Sequence, residues 1–348
     1  AQTVSDTAHQ HGFDEGALNE WLTAHVDGFA NLRDVVKFGD GQSNPTYRLD
    51  ADSGTYVLRA KPPGELLKSA HAVDREYRVM SALAETPVAV PKMLALAEED
   101  SPIGRMFFVM EHCDGRILWD PSLPEIDNPE RSGIYEAQNA TLAALHDVDP
   151  EAVGLGDFGK PGDYFARQTN RLAQQYEASE VDRNAQMHEL IAWLPANLPE
   201  DDGQVSIVHG DYRIDNMIFR NDKPEVMAIL DWELSTLGHP LADLAYQCMQ
   251  WRLPNAGTMR GLAGVDRKAL RIPTEDEYVA RYCERRSVTK PDNWPFYIAF
   301  CFFRLAAILQ GVYKRALDGN ASNPERGIKM ATAIPLLAGA AMQEVKKA

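Results

Sequence analysis

The most informative stretch of this 348-residue chain reads HGDYRIDN, from His209 to Asn216. Asp211 and Asn216 are five positions apart, so a compact loop can bring them together, and Asp231 follows where an apolar run ends. Carboxylate and carboxamide oxygens suit Mg²⁺, whose coordination is usually completed by water and substrate phosphates. The pattern predicts Asn216 and Asp231 as metal ligands and leaves Asp211 for proton transfer. Residues that only stabilise turns are the alternative.

Composition narrows the class of protein around this stretch. Lys and Arg number 35 against 51 Asp and Glu, a formal net charge of −16, which argues against nonspecific binding to nucleic acid or an anionic membrane. Four widely spaced cysteines contain no Cys-x-x-Cys pair, and the polar first residues do not resemble a signal peptide. The most apolar stretch, 296–309, is interrupted by Arg304 and falls short of the ~20 residues that span a bilayer. We therefore expect a cytoplasmic protein in which this stretch is a core helix.

The pattern of apolar residues divides the chain into two parts. Up to about residue 112, a helix, three short strands, a second helix and two more strands are predicted, which would form a five-stranded antiparallel sheet. Helical periodicity dominates afterwards, except for short strands between 205 and 231. The prediction is an α+β fold with a nucleotide-binding lobe at 1–112, a hinge at about 109–115, and a larger, mainly helical catalytic lobe at 113–348.

The stretch resembles the catalytic loop of the protein-kinase-like superfamily, which reads His-x-Asp-x-x-x-x-Asn, and the Gly in second place is the form of the aminoglycoside phosphotransferase family. The resemblance implies a bilobal kinase-like fold and transfer of a phosphoryl group from ATP to a hydroxyl. Asp211 would deprotonate that hydroxyl, Arg213 would contact the transferring group, and Asn216 and Asp231 would hold Mg²⁺. Asp215 is interpreted as an acceptor that stabilises the loop.

A glycine-containing turn early in the chain is the candidate phosphate-binding loop. It comprises Gly39, Gly41, Gln42, Ser43 and Asn44. Glycines let backbone amides approach phosphate oxygens, although an ordinary hairpin turn has the same composition. Its position between the first two predicted strands is where kinase-like folds carry this loop.

Kinase-like enzymes also place a cation on the third strand, paired with a helix glutamate. Arg59 occupies that position, Lys61 is the second candidate, and Glu76 lies on the apolar stripe of the following helix. An arginine is a departure from the usual lysine. Glu111 and Cys113 fall in the segment that resembles the interlobe hinge, whose backbone would meet the adenine.

The longer stretch 231–243 is most similar to the kinase-like domain of acyl-CoA dehydrogenase fusion proteins and their free-standing bacterial relatives. That resemblance implies a hydroxyacyl-CoA as the acceptor, for which the nearest cations are Arg252, Arg260, Arg267, Lys268 and Arg271. An aminoglycoside or another small hydroxylated molecule remains the alternative acceptor. A kinase-like module that binds nucleotide or CoA without turnover is the alternative function, and a metal-dependent phosphoesterase is disfavoured by the single nearby histidine. The sequence predicts no oligomeric state.

Overall fold

The computed structural model describes residues 11–39, 44–64, 72–257, 260–321 and 323–348. The chain forms two compact units that are not continuous in sequence. The first comprises Ala1–Gly115 together with Met227–Glu233, and the second comprises Arg116–Val226 together with Leu234–Ala348. The short segment that carries Asp231 therefore belongs to the same unit as the sheet.

The first unit contains a five-stranded antiparallel sheet in the order β1-β2-β3-β5-β4. Its elements are helix α1 (Glu15–His25), β1 (Leu32–Lys37), β2 (Thr46–Ala51), β3 (Gly54–Ala60), helix α2 (Val73–Leu83), β4 (Met93–Ala97) and β5 (Phe107–Glu111). Leu18 and Leu22 of α1 are completely buried in one apolar cluster with Leu49, Leu58 and Phe107 from the sheet. The sheet is therefore stabilised on one face by an amphipathic helix.

Helix α1 begins at Glu15, directly after an aspartate that caps it. Asp14 is the N-cap, and its carboxylate accepts hydrogen bonds from the backbone of Gly16 and Ala17 at 2.9 and 3.1 Å. An aspartate there satisfies backbone amides that lack a helical partner and also favours the positive end of the helix dipole. Gly12 adopts a positive φ in the preceding turn.

The chain after residue 115 is mainly helical, with four short strands among its described residues. Its helices are α3 (Asn128–Asp147), α4 (Tyr164–Ser179), α5 (Ala185–Ala196), α6 (Leu241–Cys248), α7 (Glu275–Arg286), α8 (Trp294–Leu317), α9 (Pro324–Met330) and α10 (Ala333–Val345). The short strands are β6 (Ser206–Val208), β7 (Met217–Phe219), β8 (Val226–Ile229) and β9 (Thr236–Gly238), of which β6 and β9 pair antiparallel. Strand β9 was not expected from the sequence, because three residues carry too little periodicity.

Helix α8 is long and apolar enough to cross a membrane by length and composition alone. However, 67% of its most apolar window is buried inside the protein, where it packs against α4, α6 and α10. It is the core helix that the sequence predicted, and it is longer at both ends than the apolar run because Trp294 and Pro295 begin the helix and residues 310–317 continue it. The predicted fold class is confirmed: an antiparallel five-stranded sheet with helices is followed by a mainly helical part.

Candidate active site

The backbone of the loop at 209–216 is held by one buried carboxylate. Asp243, in the first turn of α6, accepts hydrogen bonds from the backbone amides of His209 and Gly210 at 2.8 and 2.9 Å. His146 of α3 contacts the same carboxylate through Nε2 at 2.9 Å. Asp243 and His209 are completely buried. Asp243 therefore supports the loop, because its carboxylate pairs two backbone amides that would otherwise be buried without a partner.

Gly210 is the one position in this loop that requires glycine. Its φ is +93°, and a Cβ atom there would lie 2.7 Å from the carbonyl oxygen of Leu234. A positive φ and a backbone atom at that distance both exclude larger residues. The close approach of Leu234 to Gly210 also explains why the second residue of the motif is a glycine, which the spacing of the motif does not explain.

The carboxylate of Asp211 is surrounded by donors from its own unit. Tyr246 Oη donates to Oδ1, Asn216 Nδ2 donates to Oδ2 at 3.0 Å and to the Asp211 backbone oxygen at 2.8 Å, and Arg213 Nε lies 3.4 Å from Oδ1. The Asp211 side chain is 21% exposed. Burial alone would raise the pKa of Asp211, but the charge of Arg213 and the hydrogen bonds from Tyr246 and Asn216 bring it below its ordinary value. Asp211 is thus an ionised, oriented acceptor at neutral pH.

Arg213 lies beside Asp211 and is 44% exposed. Its Nη2 also lies 3.1 Å from Oδ2 of Asp215, so Asp215 accepts from Arg213 as the loop-stabilising interpretation expected. The exposed guanidinium remains a candidate for contact with a phosphoryl group, and its predicted catalytic role stays a prediction.

In the first unit, Arg59 is almost completely buried among three carboxylates. Its Nε donates to Glu76 at 3.1 Å, its Nη2 donates to Asp231 at 3.0 Å, and Glu233 lies 3.8 Å from Nη2. Thr46, directly across the β2–β3 ladder, accepts from Nη1 at 3.2 Å. The pairing of Arg59 with Glu76 that the sequence predicted is present.

Lys61, the second candidate for this role, does not join the cluster. Its ammonium lies 2.7 Å from Glu99, whose side chain is 62% exposed. The difference has a local cause, because Arg59 is inside the ladder between β2 and β5 whereas Lys61 follows the end of β3.

The glycine-containing turn is described only at its two ends. Gly41, Gln42 and Ser43 lie outside the described residues, and Gly39 is exposed at the end of β1. Asn44 is completely buried, and its side chain donates to Oε2 of Glu76 at 3.1 Å. The carboxamide of Asn44 therefore supports Glu76, and the predicted contact of this loop with phosphate through its backbone stays a prediction.

Glu76, predicted with the cofactor-binding residues, is 1% exposed and acts through Arg59. Glu111 ends β5, and its Oε1 accepts from the backbone of Lys92 at 2.9 Å. Cys113 Sγ lies 4.0 Å from the same carboxylate, and burial, with the charge of Glu111, raises the pKa of Cys113 to about 11. Cys113 is therefore a protonated thiol at neutral pH, and any hinge contact would use the backbone, as predicted.

The two predicted metal ligands each have an oxygen suited to a cation. Asp231 adopts a positive φ of +63°, and its Oδ1 accepts a hydrogen bond from Arg59. The Asp231 side chain is 26% exposed, whereas those of Arg59 and Glu76 are buried. Asn216 uses Nδ2 on Asp211, which directs its carbonyl oxygen away from that carboxylate. Among the described residues no group of three or more His, Cys, Asp or Glu could hold a metal by itself. A carboxylate and a carboxamide oxygen are each ligands that Mg²⁺ accepts, and Mg²⁺ needs few protein ligands when substrate phosphates complete its shell.

Sequence reasoning missed two features of the site. Tyr246 lies one helical turn after Asp243, so its position on α6 was readable, but its hydrogen bond to Asp211 spans 35 residues. The second feature concerns the arginines and lysine suggested as contacts for a CoA ester. Arg252 forms ion pairs with Glu275 and Glu344, at 2.7 and 2.5 Å, so two carboxylates of its own unit already neutralise its charge.

Proteins similar to this chain in sequence include the acyl-CoA dehydrogenase family members. A mouse (Mus musculus) protein, acyl-CoA dehydrogenase family member 10, is 49% identical over 291 residues, which is 83% of this chain and 27% of that protein. The chain spans between 27% and 44% of the length of the first seven curated relatives it matches.

Two solved structures show the same architecture. A Ralstonia eutropha protein, provisionally described as an aminoglycoside phosphotransferase, is 47% identical, with a TM-score of 0.86 over 96% of this chain and 99% of that one. An aminoglycoside phosphotransferase mutant crystallised with ADP and hygromycin B is 16% identical, with a TM-score of 0.62 over 94% of this chain and 98% of that one, and shares the fold alone. The model of the phosphotransferase enzyme family (APH) matches residues 34–283. A chain that carries this loop, this sheet and this match belongs to the phosphotransferase enzyme family.

Proposed function

We propose that this chain transfers the γ-phosphoryl group of ATP to a hydroxyl group of a small molecule. The observation that carries the proposal is the carboxylate of Asp211, which is ionised, partly exposed and held in one orientation by Tyr246 and Asn216. Catalysis of phosphoryl transfer depends mainly on positioning and on neutralising charge. A fixed acceptor for the proton of an alcohol is the part of that machinery the chain itself provides.

In the proposed reaction, the acceptor oxygen forms a bond to the γ-phosphorus while the bond from that phosphorus to the β,γ-bridging oxygen breaks, leaving ADP. The hydroxyl proton passes to Asp211. Because the pKa of Asp211 is lowered, this carboxylate orients the hydroxyl and accepts its proton late, as the new bond forms. Arg213, exposed beside Asp211, would contact the transferring group.

Residues of both units would bind the nucleotide and the metal ion. Arg59 would contact the nucleotide phosphates, with Glu76 holding its guanidinium, and Asn216 and Asp231 would hold Mg²⁺. Bound Mg²⁺ supplies neutralisation of the phosphate charge. The structures of relatives with ADP support a nucleotide as the second substrate.

A hydroxyacyl-CoA is the acceptor we favour. The support is the 49% identity to acyl-CoA dehydrogenase family member 10 over 83% of this chain, against 16% to a phosphotransferase crystallised with hygromycin B. An aminoglycoside is the second candidate, because the Ralstonia eutropha structure at 47% identity carries that description.

The test is incubation with ATP, Mg²⁺ and a panel of hydroxyacyl-CoAs and aminoglycosides, read by mass spectrometry for an added phosphate. Asp211→Asn should lower the transfer rate by roughly 10²-fold to 10⁴-fold, the range for a lost general base. Asp276→Asn, which changes a carboxylate that is 89% exposed, is the matched control and should leave the rate unchanged. Nucleotide binding without transfer to any acceptor would favour a non-catalytic module, and equal rates in both variants would remove Asp211 from its role.

A further inference from the structure

Arg304 is a buried cation for which the proposed mechanism has no use. It lies in the middle of α8, and only 9% of the residue is exposed. It has no hydrogen bond or ion pair to another residue in the described part of the chain, yet none of its guanidinium nitrogens is fully sealed from solvent. Its side chain therefore reaches a place that a polar group from outside can also reach.

An arginine in this state is costly for the folded protein. Arginine is always charged and carries five hydrogen-bond donors, and a buried charge is normally paired. Burying one without a carboxylate loses hydration that nothing replaces. Apolar residues flank Arg304 along α8, so a methionine there would fit the helix without that cost. Such a residue suggests a binding site where stability is given up for function.

The surroundings of Arg304 connect it to the catalytic loop. Its guanidinium carbon lies 5.8 Å from the centre of the Tyr246 ring, and the hydroxyl of that ring donates to Asp211. The charge of Asp211 is among the interactions that raise the pKa of Arg304 against the effect of burial. Arg304 is thus one side chain away from the proposed proton acceptor.

Two groups from α4 also interact electrostatically with Arg304. Tyr164 packs its ring 6.4 Å from that of Phe300 in α8, is 8% exposed and has no hydrogen-bonded partner in the described chain. Burial raises the pKa of Tyr164 to about 12, so its hydroxyl remains a donor. Burial and the charge of Arg304 lower the pKa of Arg171, and the charge of Asp211 helps to raise that of Arg304.

We propose that Arg304 forms an anion subsite that selects an acceptor carrying a carboxylate or phosphate near its reactive hydroxyl. This inference rests on the proposed function and narrows its substrate class. It runs against the net charge of −16, which taken alone favours cationic acceptors. A polycationic acceptor would bring its ammonium groups towards the guanidinium of Arg304 beside Tyr246, and like charges there would weaken its binding.

The first experiment measures anion binding without catalysis. Thermal unfolding is followed in sodium sulfate and in sodium chloride at equal ionic strength, for the native chain, Arg304→Met and Arg286→Met. Arg286 is the matched control, because its guanidinium also lies over a tyrosine ring, at 5.7 Å, but is bound by Asp147. General salting-out by sulfate acts on all three proteins alike. We expect an additional rise in Tm of about 2 °C in the native chain and in Arg286→Met, and its loss in Arg304→Met. An equal rise in all three proteins would overturn the subsite.

The second experiment measures selection of the acceptor. Matched pairs are hydroxyhexanoates and their neutral amides, with hydroxyhexanoyl-CoA and kanamycin added to distinguish a carboxylate from the phosphates of a CoA ester and from a polycation. Arg304→Met should raise KM for the anionic acceptor at least about tenfold, the effect of losing a close charge pair, while KM for ATP stays unchanged. Acid and amide accepted equally would overturn the proposal. If no acceptor is phosphorylated but the specific effect of sulfate is present, the proposed function fails and the anion subsite stands.

Discussion

Arg59 in the first unit and Arg304 in the second are both buried, and their charges are treated in opposite ways. Arg59 in the first unit is surrounded by Glu76, Asp231 and Glu233, with hydrogen bonds of 3.0 to 3.1 Å to the first two. Arg304 in the second unit has an aromatic ring at 5.8 Å and no ion pair within the described residues. The carboxylates around Arg59 outnumber its charge, so this cluster can stabilise the fold and still attract a metal ion. Arg304 has no carboxylate paired with it among the described residues, so its charge is available to an anionic ligand.

The comparison predicts different costs of removal. Breaking a buried ion pair leaves an uncompensated charge behind, whereas removing a lone buried charge leaves none. The stability of variants at the two positions therefore separates a structural arginine from one that waits for a ligand.

The largest effect is expected at Arg59. Arg59→Met leaves Glu76, which is 1% exposed, without its cation and should lower the free energy of unfolding of the first unit by about 3–5 kcal/mol. Urea unfolding measures it. Lys61→Met removes a cation two residues away whose partner Glu99 is largely exposed, and should cost less than about 1 kcal/mol. Equal losses in both variants would contradict a special role for the buried cluster.

Arg286 and Arg304 provide the intermediate test inside the second unit. Arg286→Met removes hydrogen bonds to Asp147 and to the backbone oxygen of His146, each 3.1 Å long, and should cost about 1–3 kcal/mol. Arg304→Met, measured in a buffer without multivalent anions, should leave stability unchanged or raise it. A loss at Arg304 as large as that at Arg286 would mean that its cation is structural.

The smallest effect concerns a buried pair whose charge can change with pH. Burial lowers the pKa of His146 below 6.5 although Asp243 opposes this, and burial lowers the pKa of His239 in the same way. The unfolded chain therefore binds protons that the native chain excludes once the pH falls below about 6.5, and stability should decrease there and be constant above. Each histidine contributes at most about 1.4 kcal/mol per pH unit.

Urea midpoints between pH 8 and 5.5 measure this slope, and His146→Gln should reduce it. A slope that is unchanged in this variant would show that His146 is protonated in the native state, with Asp243 as a true ion pair.

The order of short motifs allowed much of the site to be predicted. Asp211, Asn216 and Asp231 were found by spacing, Arg59 and Glu76 by their places on a strand and a helix stripe, and the five strands by alternation. These features are local, so a few neighbouring residues contain their signal. The burial of the Asn44 side chain against Glu76 was not predicted, because a turn composition does not reveal burial.

What the sequence by itself determined is the fold class, the catalytic-loop candidates and an arginine inside an apolar helix. Only the tertiary structure decided that Tyr246 donates to Asp211, that Asp243 holds the loop with His146, and that Arg304 lies against the Tyr246 ring without an ion pair to any described residue. The reason is that spacing along a chain records which face of an element a residue occupies, whereas its partner is chosen by the packing of helices distant in sequence.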